Sequence, residues 1–288
     1  YFGVSEPMSH YVNPALPDMV NRAKEAQLAT FFHWGFHAWA IFAIMGLILA
    51  YFSFRYKLPL SIRSGLYPLL KERINGPIGD IVDVFALIST FFGIATSLGF
   101  GVVQLNAGLV HLGILSKSSF PFQSFIIIIV SSIAVTSAVA GVKKGVKRLS
   151  ELNLILAILL LLFVLFLGPT TFLLGAFSEG IGYYVNQFAD LTFNTFAFEQ
   201  NGRGWFTNWT VMFWAWWISW APFVGLFIAS ISRGRTIREY IFGVLLVPSL
   251  FIFLWMTVFG NGAIFLDTHS AHGALSALAG NPDILLFT

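Results

Sequence analysis

The chain of 288 residues is 57% apolar and only 10% charged, whereas about a quarter of the residues in a soluble domain are charged. Its mean hydropathy is +0.79, and several apolar runs approach the roughly 20 residues with which a helix crosses a bilayer. We therefore predict an all-α polytopic membrane protein. The net charge of +3 without a basic arm argues against a nucleic-acid partner, and the lack of cysteine excludes disulfides and thiolate metal sites.

Six complete spans are predicted in chain order. Each is an apolar run bounded by charged residues or by turn-forming Gly, Pro and Asn. They cover residues 33–54, 81–115, 122–142, 152–168, 205–231 and 241–263. Between the fourth and fifth spans, apolar residues recur at intervals of three and four over residues 172–191, which predicts an amphipathic helix in the membrane interface.

The chain begins and ends inside apolar runs, at Tyr1 and at residues 284–288. We therefore expect residues 1–288 to be an internal piece of a longer protein and to form a single transmembrane domain. The loops after the first, third and fifth spans hold 12 of the 16 Lys and Arg residues. By the positive-inside rule these loops are predicted to be cytoplasmic.

The fifth span contains five of the nine tryptophans within residues 209–220. With successive residues about 100° apart, four aromatic side chains share one third of the helix circumference. These are Phe213, Trp216, Trp217 and Trp220. The position of Trp209 is typical of an interface anchor, and Trp214 lies off the shared face and is expected to pack against neighbouring helices.

The first span carries a second aromatic cluster, made of Trp34, Trp39 and Phe42 beside small residues. Each cluster alone is compatible with an aromatic belt or with helix packing. Two clusters in two helices also favour a cage of ring faces for a cation that cannot donate hydrogen bonds. A quaternary ammonium group is the established ligand of such cages.

Competing chemistry is sparse in the spans. Asp80 and Asp83 lie at a helix start, where capping is the expected role. His33 and His37 are one helical turn apart and offer an alternative reading, a metal-dependent membrane enzyme. The remaining histidines are placed at loops or span ends, so no second ligand pair is predicted, and we expect neither a metal site, nor catalytic residues, nor an enzyme.

Five motifs carry a resemblance to a known family. They are FHW at residues 32–34, RINGPIG at 73–79, GFGVVQLN at 99–106, FWAWWISWAPF at 213–223 and ISRGRTIR at 231–238. With them the chain resembles the betaine/choline/carnitine family of bacterial secondary transporters. The resemblance implies a partial LeuT-like inverted-repeat transporter fold, a multi-pass location in the bacterial inner (cytoplasmic) membrane among lipids, and a homotrimer.

The resemblance also implies import of a quaternary-ammonium compound for osmoprotection. The substrate-binding positions carried over from the family are Trp34, Trp39, Phe42, Trp216, Trp217 and Trp220. Phe42 stands where the family often has tyrosine, so the ring face is kept and the hydroxyl is lost. No cofactor is implied apart from a coupling ion, H+ or Na+.

The resemblance places ion-binding positions at Thr90 and Phe223. The second hydroxyl of the family's sodium site falls on Ile94, which has no oxygen with which to bind a hard cation. With Ile94, YFSFRY at residues 51–56 and the run at 73–79, the chain most resembles the proton-coupled choline transporters of the family, so we expect choline import by proton-coupled symport. The alternatives are sodium- or proton-coupled transport of glycine betaine or carnitine, and a sensor that binds the ligand without moving it.

Overall fold

The computed structural model describes residues 2–16, 21–140, 145–281 and Leu285. Regular structure in these residues is helical throughout, and six helical segments are long and apolar enough to cross a membrane. This confirms the predicted all-α polytopic membrane fold.

The helices of the first half begin with a short segment and continue into four membrane-length segments. They are α1 (Phe2–Val12), α2 (Arg22–Trp34), α3 (Phe36–Tyr56), α4 (Tyr67–Leu70), α5 (Pro77–His111), α6 (Phe120–Val139) and α7 (Lys147–Leu167). Two 3-10 turns, Ile62–Leu66 and Lys71–Asn75, flank α4. α2 and α3 together form the first membrane-length segment.

The second half starts with two helices that are not membrane spans by length. The helices are α8 (Thr170–Asn186), α9 (Phe188–Phe193), α10 (Gln200–Phe206), α11 (Met212–Ile231), α12 (Ile237–Met256), α13 (Gly262–His269) and α14 (Ala274–Ala277). The π-helical turns Thr207–Val211 and Thr257–Asn261 join α10 to α11 and α12 to α13. The last two membrane-length segments are therefore Gln200–Ile231 and Ile237–His269.

Each membrane-length segment overlaps one of the spans expected from hydropathy, with different ends. The first begins at Arg22 rather than at residue 33, because Asn21 caps a polar first turn that a hydropathy pattern cannot see. The expected end of the third span, at residue 142, falls outside the described residues, as do Lys143 and Lys144. The helix expected at 172–191 is divided between α8 and α9 at Gln187.

Asp80 and Asp83 bind an arginine instead of capping α5. That helix starts with Pro77 directly after Gly76, which suits the N-terminal preference of proline. Arg63 pairs through Nε with Asp83 at 2.6 Å and through Nη1 with Asp80 at 2.9 Å. The two carboxylates therefore attach the loop after α3 to the beginning of α5.

The core forms where α3 crosses α11. Gly46 and Gly225 lie at the crossing: a Cβ on Gly225 would lie 2.5 Å from Cγ of Met45, and one on Gly46 would lie 3.2 Å from the Gly225 carbonyl oxygen. By contrast, α6 buries only Ile126, and α7 only Leu161 and Leu165. The apolar outer faces of α6 and α7 are therefore suited to lipid, and the buried chemistry lies between α1, α2, α3 and α11.

Candidate functional site

The six predicted substrate-binding residues line one cavity of about 250 Å³. Trp34, Trp39 and Phe42 reach it from the end of α2 and the beginning of α3, and the tryptophans of α11 face them. Ser97 of α5 and Val224 of α11 complete the lining and were not predicted. The structure thus brings the two aromatic clusters together, while substrate binding by these residues stays a prediction.

A break in the first membrane segment positions the rings. α2 ends at Trp34 and α3 begins at Phe36, with Gly35 between them at φ −90° and ψ −142°. A Cβ on Gly35 would collide with the ring of Phe253, so the close packing of this break requires glycine. Because the helix is interrupted, Trp34 and Trp39 approach the cavity from two helix ends rather than from one continuous face.

Neighbouring rings in the cavity make edge-to-face contacts at large interplanar angles. Trp34 and Trp217 have centroids 5.5 Å apart at 81°, and Phe42 and Trp217 are 4.9 Å apart at 62°. Trp39 and Phe42 are 5.6 Å apart at 85°. Such edge-to-face contacts fix ring orientations and direct ring faces along different axes, as an aromatic cage requires.

A further aromatic group closes one side of this arrangement. Phe2 of α1 lies 5.6 Å from the ring of Trp34 and 5.5 Å from that of Trp216, by centroids. Phe213 stands 5.4 Å from both Phe2 and Trp34. Phe2 was not predicted as a site residue, because a single phenylalanine in an apolar run carries no pattern.

The indole N–H groups of the cavity tryptophans fall into two classes. Trp34 donates through Nε1 to Oε2 of Glu6 at 2.5 Å, and Trp217 donates to the backbone oxygen of His33 at 3.0 Å. Nε1 of Trp39 and of Trp216 is buried without a hydrogen-bond partner among the described residues. A buried unpaired donor is costly, so these two groups favour a ligand that offers an oxygen acceptor.

A buried ionisable cluster, which was not predicted from the sequence, lies behind Trp34. Glu6 and His33 are fully buried and His10 is 2% exposed. Oε1 of Glu6 lies 2.8 Å from Nδ1 of His33 and 3.3 Å from Nε2 of His10. His10 lies in the last turn of α1, at a helix end as expected, but its side chain is buried and binds Glu6. The available signal was the one-turn spacing of Glu6 and His10 within an apolar run.

The alternative metal site built from His33 and His37 is contradicted. His33 binds Glu6 and, through Nε2, the Thr210 hydroxyl at 3.0 Å. His37 contacts Tyr184 Oη at 2.6 Å and Thr192 Oγ1 at 2.9 Å. The break at Gly35 separates the two histidines, so their rings reach different neighbours and cannot share an ion.

Glu6, His10 and His33 provide the ligand types of a zinc site, with one ligand atom from each within 4.8 Å of the others. A histidine that ligates through Nε2 carries its hydrogen on Nδ1 and donates it to an acceptor. Nδ1 of His10 instead faces the indole N–H of Trp205 at 3.1 Å, and an indole N–H can only donate. This contact places the hydrogen of neutral His10 on Nε2, towards Glu6, so the cluster does not fit a resident metal.

The predicted ion-binding residues contact groups of their own helices. The Thr90 hydroxyl donates to the Ala86 carbonyl of its own helix at 2.8 Å, and the Phe223 ring packs on Trp220 at 5.8 Å. Ile94 is 44% exposed. Their role in ion binding stays a prediction.

Comparison with known proteins places the chain among membrane transporters. The family model described as betaine/carnitine/choline family transporter matches residues 1–288. The chain is 57% identical over 288 residues to an uncharacterized transporter of Haemophilus influenzae, covering 100% of this chain and 43% of that protein.

Two further relatives carry functional names. A glycine betaine transporter of Acinetobacter baylyi is 48% identical over 290 residues, covering 100% of this chain and 44% of the relative. The high-affinity choline transport protein of Escherichia coli K12 is 50% identical over 273 residues, covering 93% and 40%. The chain therefore spans less than half of the length of each of these three relatives.

Proposed function

Because the chain belongs to the betaine/carnitine/choline family of transporters, we propose that it is part of a secondary transporter that imports a quaternary-ammonium compound, with choline as the substrate. Membership confirms the resemblance drawn from the sequence motifs, and the family is one of transporters rather than enzymes. The observation that carries the proposal is the cavity lined by Trp34, Trp39, Phe42 and three tryptophans of α11.

The chemistry of the cavity suits a quaternary ammonium group. Such a cation donates no hydrogen bond, and a cation–π contact in a desolvated site contributes about 2 kcal/mol. Three or four ring faces give a gross attraction on the order of 6–8 kcal/mol, which approaches micromolar affinity before ordering costs. The unpaired N–H groups of Trp39 and Trp216 would bind the oxygen that choline and glycine betaine both carry.

Choline and glycine betaine are both represented among the relatives, so similarity alone does not choose between them. Choline follows from the motif resemblance, and glycine betaine or carnitine is the alternative substrate. Proton coupling is proposed because Ile94 lacks the oxygen that a sodium site would use at that position. Sodium coupling remains the alternative, to be decided by uptake measurements.

The cellular setting follows from the family. The chain is a multi-pass membrane protein, and we place it in the inner membrane of a bacterium, in contact with lipids, where uptake would serve osmoprotection. A homotrimer is the proposed assembly. Flux into proteoliposomes would separate a transporter from a sensor that only binds the ligand.

The site is tested by choline binding to the full-length transporter with Trp217→Leu. Loss of one ring face is expected to weaken binding by about 2 kcal/mol, or roughly thirtyfold. Trp214→Leu is the matched control, because Trp214 belongs to the same helix and packs 5.1 Å from Phe32, outside the cavity lining. An unchanged affinity in Trp217→Leu would leave the rings as packing and remove the site.

A further inference from the structure

Glu6 is a fully buried carboxylate whose contacts are all with neutral hydrogen-bonding groups or with imidazoles. Its Oε2 accepts from Trp34, and its Oε1 faces His33 and His10. Among the described residues, no lysine or arginine pairs with it. A buried charge without a charged partner is costly, so this position calls for a nearby cation.

The neighbours of Glu6 are arranged to receive an anion. Trp34 can only donate, and Trp205 fixes neutral His10 as a donor through Nε2. His33 can donate through Nδ1 while its Nε2 accepts the Thr210 hydroxyl. An ionised carboxylate at this position would accept three N–H groups from neutral partners, and these hydrogen bonds offset part of the cost of burying its charge.

Other titratable groups on the elements around α1 have different partners. Lys24 of α2 pairs with Glu179 at 2.7 Å, and Glu25 accepts from the Tyr183 hydroxyl at 2.6 Å. Asp267 of α13 accepts from the backbone N–H of Leu275 at 2.8 Å. Among the described residues, His10 and His33 are thus the titratable side chains that contact Glu6.

Trp34 connects this carboxylate to the cavity. Its N–H binds Glu6 on one side, and the residue lines the aromatic cavity on the other. An anion that accepts from an indole N–H polarises the ring and makes its faces more attractive to a cation. The same anion also attracts a cation in the cavity directly, across a buried and weakly screened distance.

We propose that ionised Glu6 is the counter-charge for the quaternary-ammonium group and that it acts through Trp34 as a positioning residue that sets preference for a cation over a neutral ligand of the same shape. The inference rests on the proposed function of the aromatic cavity. Coupling is reciprocal: the bound cation offsets the cost of burying the carboxylate, and the carboxylate raises the affinity for the cation.

The test compares two ligands in the full-length transporter, choline and its uncharged carbon isostere 3,3-dimethyl-1-butanol. In Glu6→Gln, choline affinity is expected to fall about tenfold, while affinity for the neutral isostere changes less than about twofold. Equal losses for both ligands would make Glu6 a structural residue and overturn the inference, as would no loss for either. Glu179→Gln is the control, since it removes an exposed carboxylate and should change neither affinity.

A second variant covers the case in which Glu6→Gln does not fold. Trp34→Phe keeps an aromatic ring and removes the N–H that binds Glu6. Because phenylalanine is itself a weaker cation–π face, Trp217→Phe is the matched control, and the preference for choline over the isostere should fall further in Trp34→Phe. An equal fall in both variants would overturn the inference. If the wild-type protein binds no quaternary ammonium ligand, the proposed function fails; if it binds choline but the variants keep its preference over the isostere, only the role of Glu6 fails.

Discussion

At the scale of single residues, the cavity tryptophans differ in what their N–H groups do. The N–H of Trp34 binds Glu6 and that of Trp217 binds the His33 carbonyl. These bonds fix the ring orientations and leave the ring faces to contact a ligand. Trp39 and Trp216 keep a buried N–H without a partner among the described residues. The ring faces of the cavity suit the cationic end of a ligand, and we expect the two unpaired N–H groups to meet a ligand oxygen when the cavity is filled.

Removing one free N–H should affect only ligands that carry an oxygen. Trp39→Phe keeps an aromatic ring, and we expect it to lower the preference for choline over tetramethylammonium by about 1 kcal/mol, roughly fivefold. Competition binding with the two ligands measures this preference. An equal loss for both ligands would mean that the Trp39 N–H does not meet the choline hydroxyl.

At the scale of elements, the site depends on the close crossing of α3 and α11. Gly46 and Gly225 allow that crossing. The Tyr240 hydroxyl of α12 packs beside it and donates a hydrogen bond to the Ala43 carbonyl of α3 at 3.0 Å. Since Trp39 and Phe42 precede Gly46 on α3, and Trp217 and Trp220 precede Gly225 on α11, the crossing sets how near the two aromatic clusters come. A change in the packing of α3 against α11 is therefore expected to change the shape of the cavity.

Gly46→Ala should destabilise the protein, because the added methyl group would collide with the Tyr240 hydroxyl. Overpacking of this kind costs about 1–3 kcal/mol. Thermal unfolding in one detergent compares it with Gly101→Ala, a matched control in α5 whose Cβ would meet nothing within 4 Å. We expect Gly46→Ala to lower the Tm. Gly101→Ala should not lower it, because alanine has the higher helix propensity. Equal changes in Tm would contradict the packing role of Gly46.

At the scale of the whole molecule, the chain covers 40–44% of the length of the three relatives compared, so the coupling ion is a proposal that rests on one position. Within the chain, the position that would complete a hydroxyl pair with Thr90 is Ile94. This substitution is the physical basis for expecting a proton rather than sodium as the driving ion.

Choline uptake by the full-length protein in proteoliposomes should persist when sodium is replaced by potassium. It should rise with an inward proton gradient and collapse with a protonophore, because the proton gradient supplies the driving force. Ile94→Thr supplies the missing oxygen, and its uptake is compared with that of the wild-type protein for stimulation by sodium. Strict sodium dependence of the wild-type protein would contradict proton coupling.

The sequence alone determined the membrane class, six spans, the family resemblance and, through that resemblance, six of the eight residues that line the aromatic cavity. Hydropathy and helical periodicity are local properties, so they can be read from neighbouring residues, and the motifs are contiguous. Only the tertiary structure decided that His33 and His37 diverge, that the N–H groups of Trp34 and Trp217 bind Glu6 and the His33 carbonyl, and that Glu6 lies behind Trp34. These depend on the break at Gly35 and on contacts between residues 27 to 184 positions apart, which no local pattern encodes.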